Sequence, residues 1–228
     1  MSLGARTHGL TLTVEETLRG VLALGVLEAE DVRLDPLSAE FDEEVERTVS
    51  RLTSRFAGKP ATDIPGVSET RALFHRLDLD PTRTRPSSEA LLRRVLQGKG
   101  LPRVNPAVDV CNLCSLEDQL PLGLYDRDEV KGDLHVRVGR SGEGYTGIRK
   151  QRVNLTGRLL IADETGPFGA PTADSAHTAV KSRTRHLMVV AFCPVERAGQ
   201  HLSTALEHIA AMLTRFCSAR VLAVRVVQ

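Results

Sequence analysis

Apolar residues recur every three to four positions in five segments of the chain, a spacing that predicts amphipathic helices. The pattern is clearest in QHLSTALEHIAAMLTRF, residues 200–216, where one stripe carries the leucines and the isoleucine. Each of the other segments starts at a residue suited to a helix N-terminus, either a serine that can cap free backbone N–H groups or a proline in the first turn. These helices are predicted to begin at Ser38, Ser68, Ser87 and Pro106.

Short apolar runs and alternating segments predict strands. They are VLALGVLEAEDVRL (21–34), DLHVRV (133–138), RLLIAD (158–163), HLMVVAF (186–192) and ARVLAVRVV (219–227). Residues 121–126 contain Pro121 and Gly123 and are predicted to be a loop. Helices and strands are interspersed without strict β-α-β order. The pattern therefore favours one domain over residues 1–228, of the α/β (α+β) class, with a mixed sheet and flanking helices.

The composition narrows the class of protein. The chain has 228 residues, 41% of them hydrophobic, but no apolar run long enough to cross a bilayer. The first residues, MSLGARTHGL, lack the apolar stretch of a signal peptide, so we expect a cytoplasmic protein without a membrane partner. The absence of Trp and the presence of only two Tyr argue against an extended aromatic surface for stacking single-stranded nucleic acid.

Charge is unevenly distributed, although the net charge is only +1. Residues 28–46 carry nine acids against one base, whereas residues 71–103 carry eight bases. Such a cluster of bases is typical of a surface that binds a polyanion, but solvated helix faces give the same pattern, and charge alone favours that simpler interpretation. The bases considered for a nucleic-acid surface are Arg71, Arg85, Arg93, Arg94 and Lys99.

Cys111 and Cys114 form a Cys-x-x-Cys pair, a spacing found in zinc sites and redox sites. A zinc site needs about two further ligands, and the other cysteines, Cys193 and Cys217, are single and distant. The pair also lies inside a predicted apolar helix, whereas a redox motif sits at a helix start after a strand. We therefore predict buried structural thiols, no metal site and no cofactor.

Two further segments give weak signals. RVGRSGEGYTG is glycine-rich, but it does not match GxxxxGK[ST] and no clear helix follows it, so a turn is the better interpretation. Asp174, Ser175 and His177 have the composition of a hydrolase triad, but residues this close in sequence rarely converge on one reacting atom. They lie in a long loop, residues 164–180, and long loops in compact domains are often functional.

Several polar residues stand in otherwise apolar surroundings. Asn112 and Ser115 interrupt the apolar helix that begins at Pro106, and Asp126 follows an apolar stretch. Such side chains either line a ligand pocket or pin caps and loops, and periodicity leaves the two alternatives equally open. The same alternatives apply to three residues of the long loop, namely Asp174, Ser175 and Thr178.

Four segments, in order along the chain, resemble the B3/4 domain of the phenylalanyl-tRNA synthetase β subunit, and more closely the free-standing proteins built from that domain. They are RPSSEALLRRVLQGKGLPRVNPAVDVCNLCSL, LPLGLYDRDEVKGDLHVRVGRSGE, LLIADETGPFGAPTADSAHTAV and HLMVVAF, and the resemblance covers roughly residues 68–194. It implies a mixed α/β domain whose cleft accepts the 3′ end of a tRNA carrying a wrong amino acid and hydrolyses the ester. We expect no synthetase catalytic module in a chain of this length.

The resemblance also implies site residues. VDVCN aligns Asn112 with a pocket asparagine of the family. LPLGLYD keeps Asp126, but it has Gly123 where the bacterial synthetase has a pocket His. In LMVVAF, Val189 replaces the Glu that recognises the tyrosine hydroxyl in the synthetase. This replacement predicts a smaller or apolar amino acid, because a site built to bind a hydroxyl differs strongly from one that is not.

ADSAHT is similar to a segment of the free-standing relatives, which favours pocket roles for Asp174, Ser175 and Thr178. No catalytic residue follows from the resemblance. Three functions remain open: an aminoacyl-tRNA deacylase, a tRNA-binding module that does not hydrolyse, and a protein that binds a free amino acid or metabolite in the same cleft. tRNA or aminoacyl-tRNA is the expected partner, and the sequence predicts no oligomeric state.

Overall fold

The computed structural model describes residues 5–7 and 10–228, so most of MSLGARTHGL, and with it the expectation about a signal peptide, lies outside the described residues. The helices are α1 (Ala39–Arg55), α2 (Pro65–Arg76), α3 (Ser87–Leu96), α4 (Pro106–Asp118) and α5 (Val195–Cys217). The strands are β1 (Ala5–Thr7), β2 (Leu10–Val14), β3 (Leu22–Glu30), β4 (Leu122–Asp126), β5 (Leu134–Val138), β6 (Gly144–Thr146), β7 (Arg152–Asn154), β8 (Leu159–Asp163), β9 (Gly166–Gly169), β10 (Leu187–Pro194) and β11 (Arg220–Val227). The predicted mixed α/β class is confirmed.

The strands form two main sheets. The first has the order β1-β2-β5-β8-β9; β2 and β5 pair in parallel, and the other neighbours are antiparallel. The second is antiparallel throughout, in the order β11-β3-β10-β4. Strands β6 and β7 pair separately as a hairpin. The two main sheets pack against each other, because residues from both, such as Val136 and Val190, share one buried apolar cluster.

The four-stranded sheet is buried on both faces. Successive residues of a strand point to opposite faces, so Val190 of β10 packs toward the five-stranded sheet, whereas Val189 and Ala191 pack toward the helices. Burial on both faces explains why β3 and β10 appear in the sequence as continuous apolar runs rather than as alternating segments.

Helix α4 connects the helical layer to the sheet. It contacts the helices α1, α3 and α5 and the strand β4. Because apolar neighbours surround it on several sides, buried residues such as Val110, Leu113 and Leu116 are spread around its circumference. Helix α4 therefore lies between α3 and β4, and residues of these three elements line two neighbouring clefts.

The prediction of a loop over residues 121–126 is wrong, because Leu122–Asp126 form β4 and pair with β10. The strand lies at an edge of its sheet, where a preceding Pro121 and an internal Gly123 are compatible with strand structure. The prediction of a loop rested on two turn-forming residues, which in this segment belong to or precede a fully buried strand.

The capping roles predicted for three serines are also wrong. Ser38, Ser68 and Ser87 make no side-chain capping hydrogen bond. Helix α2 already begins at Pro65, a residue favoured in the first turn, so the Ser68 hydroxyl lies inside the helix and donates to the Pro65 carbonyl oxygen at 3.0 Å. Ser87 is itself the first residue of α3.

Candidate functional site

Two clefts share one residue, Asn112, in their walls. The larger has a volume of about 560 Å³ and lies beside α3 and the segment that follows it. The smaller has a volume of about 190 Å³ and lies between α4, β4 and the loop after β9. A ligand that extends from one cleft into the other therefore passes Asn112.

Basic residues line the larger cleft. Four of them were predicted for a nucleic-acid surface, and a fifth, in the turn between β6 and β7, was missed because a single base in a turn gives no binding signal in the sequence. The five are Arg85, Arg93, Arg94, Lys99 and Arg149. We refer to this larger cleft as the basic cleft.

A buried carboxylate offsets part of this positive charge. Glu89, in the first turn of α3, is 1% exposed and contacts three arginines. Its carboxylate oxygens lie 3.1 Å from Arg71, 3.6 Å from Arg85 and 2.7 Å from Arg93. Arg71 thus forms an ion pair with Glu89 and does not line the basic cleft, unlike the other four bases predicted with it.

The other three bases of the cleft are Arg94, Lys99 and Arg149. Arg94 donates from Nε to the Gly100 carbonyl oxygen at 2.9 Å, an interaction that leaves the charge uncompensated. Among the described residues, no carboxylate pairs with Arg94, Lys99 or Arg149. The Ser87 hydroxyl also lies in this wall, buried and without a hydrogen-bond partner. The basic cleft therefore offers free cations to an anionic ligand, and its wall contains one buried hydroxyl without a partner.

Helix α4 provides one wall of the smaller cleft. The Asn105 side chain caps the helix by accepting a hydrogen bond from the Val108 backbone N–H at 3.0 Å. Helical spacing then places Val108, Cys111 and Asn112 on one face, and all three line the cleft. No described residue forms a hydrogen bond with the side-chain amide of Asn112, so this amide is available to a ligand.

The rest of the smaller cleft is mainly apolar. Strand β4 contributes Leu122 and Leu124. Val104 and Ile148, which are 65% and 56% exposed, also line it. Single exposed apolar side chains are common, but here two of them lie at the same apolar cavity. We refer to this smaller cavity as the apolar cleft, and its lining suits an apolar ligand group.

One carboxylate, that of Asp174, lies in the wall of the apolar cleft. Its Oδ1 atom is buried and has no hydrogen-bond partner. Burial raises the pKa of Asp174 to about 7, and the neighbouring Tyr125 hydroxyl and the backbone of Ala170 and Leu124 lower it only in part. A carboxyl group in a cleft with a pKa near neutrality is typical of functional sites.

Tyr125 explains the glycine at position 123. Its ring is fully buried and packs edge-to-face against Phe168, with 4.9 Å between ring centroids. A Cβ atom at Gly123 or Gly169 would overlap the Tyr125 hydroxyl. This hydroxyl lies near Asp174 without completing a hydrogen bond of good geometry. The space that a side chain at position 123 would enter, where the resemblance implies a His, is therefore filled by the Tyr125 hydroxyl.

Two of the seven predicted pocket residues, Asn112 and Asp174, line the apolar cleft, and the other five line neither cleft. Asp126 accepts hydrogen bonds from the Thr184 hydroxyl at 2.6 Å and the Asp128 backbone N–H at 3.2 Å. The Ser115 hydroxyl donates to the Leu120 carbonyl oxygen at 2.7 Å. These two side chains therefore pin the local backbone and do not face a ligand.

The remaining three residues also have structural positions. The Ser175 hydroxyl accepts a hydrogen bond from the His177 backbone N–H at 3.1 Å. Thr178 is fully buried, and its carbonyl oxygen accepts from the Asp126 backbone N–H at 2.8 Å. Val189 is fully buried in β10 and pairs with Leu124, which places it beside a residue of the wall of the apolar cleft but not in that wall.

The cysteines lie in the interior of the fold. All four are free and buried, as predicted. Burial, with a smaller effect of Asp174, raises the pKa of Cys111 to about 12, so this thiol is protonated at neutral pH. Within residues 5–7 and 10–228, no group of three or more His, Cys, Asp or Glu side chains is arranged to hold a metal ion. In the same part of the chain, no helix combines the length and apolar character that a membrane crossing requires.

Comparison with known proteins links the chain to one subunit of a synthetase. The phenylalanine–tRNA ligase beta subunit of Neisseria meningitidis is 28% identical over 126 residues, which are 54% of this chain and 16% of that protein. The beta subunit of Streptomyces avermitilis is 36% identical over 104 residues, 45% of this chain and 12% of that protein. The chain thus spans less than a fifth of these relatives' length.

A solved structure and a family model agree with this result. An N-terminal fragment of the phenylalanyl-tRNA synthetase beta subunit from Pyrococcus horikoshii matches with a TM-score of 0.50 and 12% identity, covering 97% of this chain and 52% of that fragment. At this identity the likeness concerns the fold alone. The family model described as the B3/4 domain matches residues 69–218. Because this match covers more than half of the chain, the chain belongs to the B3/4 domain family.

Proposed function

We propose that this chain hydrolyses the ester bond of an aminoacyl-tRNA that carries a small apolar amino acid. The observation that carries the proposal is the position of Asn112, in the walls of both the basic cleft and the apolar cleft. In an aminoacyl-tRNA, one ester joins an anionic RNA end to an amino acid. A substrate that fills both clefts has this ester beside the Asn112 amide. The substrate class also gives a proposed location, the cytoplasm.

The basic cleft fits the RNA part of this substrate. Arg94, Lys99 and Arg149 are cations without carboxylate partners among the described residues, and such groups bind phosphate oxygens. Arg85 and Arg93 add positive charge that Glu89 only partly neutralises. This arrangement recognises a sugar–phosphate backbone and does not by itself select a base sequence.

The apolar cleft fits the amino-acid part. Its walls are aliphatic apart from the Cys111 thiol and the side chains of Asn105, Asn112 and Asp174, and the Asn105 oxygen is used to cap α4. Val189, at the position where the resemblance implies a Glu that recognises tyrosine, is fully buried beside Leu124 and offers no polar group. A tyrosine hydroxyl would therefore lose its hydrogen bonds to water without replacement on that side, which disfavours tyrosine.

The test is a deacylation assay on a panel of tRNAs, each charged with one amino acid. We expect hydrolysis above the rate without protein for tRNA carrying a small aliphatic residue and a much lower rate for tyrosine. Asn112→Ala should reduce the rate about 100-fold, the effect of losing one hydrogen-bond donor to the reacting oxygen. Asn154→Ala is the matched control, because Asn154 is exposed and lies outside both clefts. A panel without any turnover by the wild-type protein refutes the proposal.

A second candidate function is binding of tRNA without hydrolysis. It is supported by Gly123, which stands where the resemblance implies a pocket His and whose surrounding space is filled by the Tyr125 hydroxyl. This function predicts that charged and uncharged tRNA bind with equal affinity and that neither is altered. Binding that requires the aminoacyl group, followed by its release, would exclude this candidate.

A third candidate is binding of a free amino acid or small metabolite. It is supported by the apolar cleft, whose volume of about 190 Å³ and largely aliphatic lining suit a small ligand. A ligand that binds only the folded state raises the unfolding temperature by mass action. A thermal-shift screen with amino acids on one arm and tRNA on the other therefore separates this candidate from the first two.

A further inference from the structure

We propose that Asp174 is the general base of the hydrolysis, and that its carboxylate takes a proton from the water molecule that attacks the ester. This inference rests on the proposed function and adds a catalytic group to it. The carboxylate lies in the wall of the apolar cleft, and Asn112 lies in the same wall and also in that of the basic cleft. The proposed base is therefore on the amino-acid side of the junction where the ester would be bound.

The surroundings of Asp174 leave one oxygen of its carboxylate without a hydrogen-bond partner. Its Oδ1 atom is buried and unpartnered, so the group is not used in a cap or a complete loop hydrogen bond at that atom. The titratable groups that face it are Tyr125 from β4, Tyr145 from β6 and Cys111 from α4. The pKa of each of these three groups is raised, first of all by burial, so all three are neutral at neutral pH.

Within the described part of the chain no cation acts on Asp174 to hold it ionised, and burial leaves the pKa of this carboxyl at about 7. A base works best when its pKa is close to the working pH, because it is then both ionised often enough and basic enough to accept a proton. A purely structural carboxylate is instead paired or fully hydrogen-bonded.

Other nearby groups are less suited to the same step. Cys111 lines the cleft, but its pKa of about 12 leaves it as a thiol and not as a thiolate nucleophile. The Ser175 hydroxyl accepts a backbone hydrogen bond and does not line the cleft, and His177 is exposed outside it. Water is therefore the nucleophile, and Asp174 is the base in the cleft.

The reaction balances with these groups alone. The water oxygen bonds to the carbonyl carbon of the ester while one water proton moves to the Asp174 carboxylate, and the negative charge that develops on the carbonyl oxygen accepts a hydrogen bond from the Asn112 amide. The tetrahedral intermediate then breaks its bond to the ribose oxygen, which receives the proton from Asp174. The products are the free amino acid and a tRNA with a free terminal hydroxyl, and Asp174 is again ionised.

The experiment uses Asp174→Asn, which keeps the shape of the side chain and removes the base. Hydrolysis is measured from pH 5 to pH 8 after subtraction of the rate without protein, and binding is measured with an analogue in which an amide replaces the ester. The wild-type rate should rise about tenfold per pH unit and flatten near pH 7, where Asp174 becomes ionised. Asp174→Asn should bind the analogue as the wild type does. Its rate of ester hydrolysis should be lower by about 100-fold or more, and the rate should no longer depend on pH in this way.

Tyr125→Phe provides a second readout. The Tyr125 hydroxyl lowers the pKa of Asp174, so its removal should move the inflection of the pH profile upward while leaving catalysis in place at pH 8. A wild-type rate or an unchanged pH profile in Asp174→Asn overturns the inference and leaves the proposed function intact. Loss of analogue binding in Asp174→Asn also overturns it, because the carboxylate would then be a binding group. Absence of turnover by the wild type refutes the proposed function itself.

Discussion

The Nε atom of Arg93 lies 2.7 Å from Oε1 of Glu89, an acid that is 1% exposed. Arg71 and Arg85 contact the same carboxylate. One buried acid thus holds three bases at the start of α3, and two of these bases line the basic cleft. The arrangement joins the stability of the helix to the shape of the cleft.

Glu89→Ala should lower the free energy of unfolding by about 3 kcal/mol, because removal of one partner leaves the others of a buried ion cluster without a counter-charge. Urea denaturation measures this change. Glu43→Ala is the matched control, since Glu43 and Arg47 form an exposed i,i+4 pair on α1, and exposed pairs contribute little. Equal effects of the two substitutions would show that the Glu89 cluster has no special role.

Gly123→Ala should destabilise the fold by about 2 kcal/mol, since the added Cβ overlaps the Tyr125 hydroxyl in a close-packed site. Combining it with Tyr125→Phe should recover part of the loss, because the hydroxyl is the nearest of the overlapping atoms. The four proteins of this double-mutant cycle are compared by thermal or urea unfolding. Strict additivity of the two substitutions would contradict the contact.

The double substitution Arg94→Ala and Lys99→Ala should weaken tRNA binding and its dependence on salt. Loss of two phosphate contacts to a single-stranded RNA end reduces the slope of log affinity against log salt by about 1.4. Filter binding at several salt concentrations gives this slope. The control is Arg47→Ala with Arg220→Ala, which removes the same charge outside the basic cleft. A control that reduces the slope as much would indicate non-specific attraction.

Asp174→Asn should gain stability relative to the wild type as the pH rises. Burial raises the pKa of this carboxyl from its usual 3.8 to about 7, so ionisation in this pH range costs folding free energy. The wild type therefore loses stability between about pH 4 and pH 7, and the variant, which cannot ionise there, does not lose it; the difference should reach about 4 kcal/mol at pH 8. Urea unfolding at pH 4, 6 and 8 measures it.

The matched control for this trend is Asp80→Asn. Hydrogen bonds from Thr82 lower the pKa of Asp80, so its carboxylate stabilises the fold above its usual pKa, and the substitution should give a trend of opposite sign that is seen when the measurements are extended to about pH 3. A difference in unfolding free energy between Asp174→Asn and the wild type that does not change with pH would contradict a pKa near 7 for Asp174.

Long periodic segments allowed most of the fold to be predicted. The helix over residues 200–216 and the strand over residues 186–192 both exist, as parts of α5 and β10. Local signals failed where tertiary contacts decide the outcome. Leu122–Asp126 is a strand because it pairs with β10. It contains a glycine because the Tyr125 hydroxyl fills the space that a side chain at position 123 would need.

The candidate site was predictable only in part for the same reason. Asn112 could be found because it is a polar residue on an apolar helix, and it lines both clefts. Asp126 and Ser115 give an equal signal in the sequence, but their side chains satisfy local hydrogen bonds. No sequence pattern separates these cases, since the difference lies in which partners surround each polar atom after folding.

The shared wall at Asn112 has a consequence for selectivity. On the proposed function, a free amino acid fills only the apolar cleft, and an RNA end without an attached amino acid fills only the basic cleft. A molecule that contains both parts gains from both contacts at once. Linked contacts of this kind raise affinity through effective concentration without any additional interaction. On the proposed function, the two clefts together act as a coincidence detector, which favours the covalently linked molecule over either of its two common components alone.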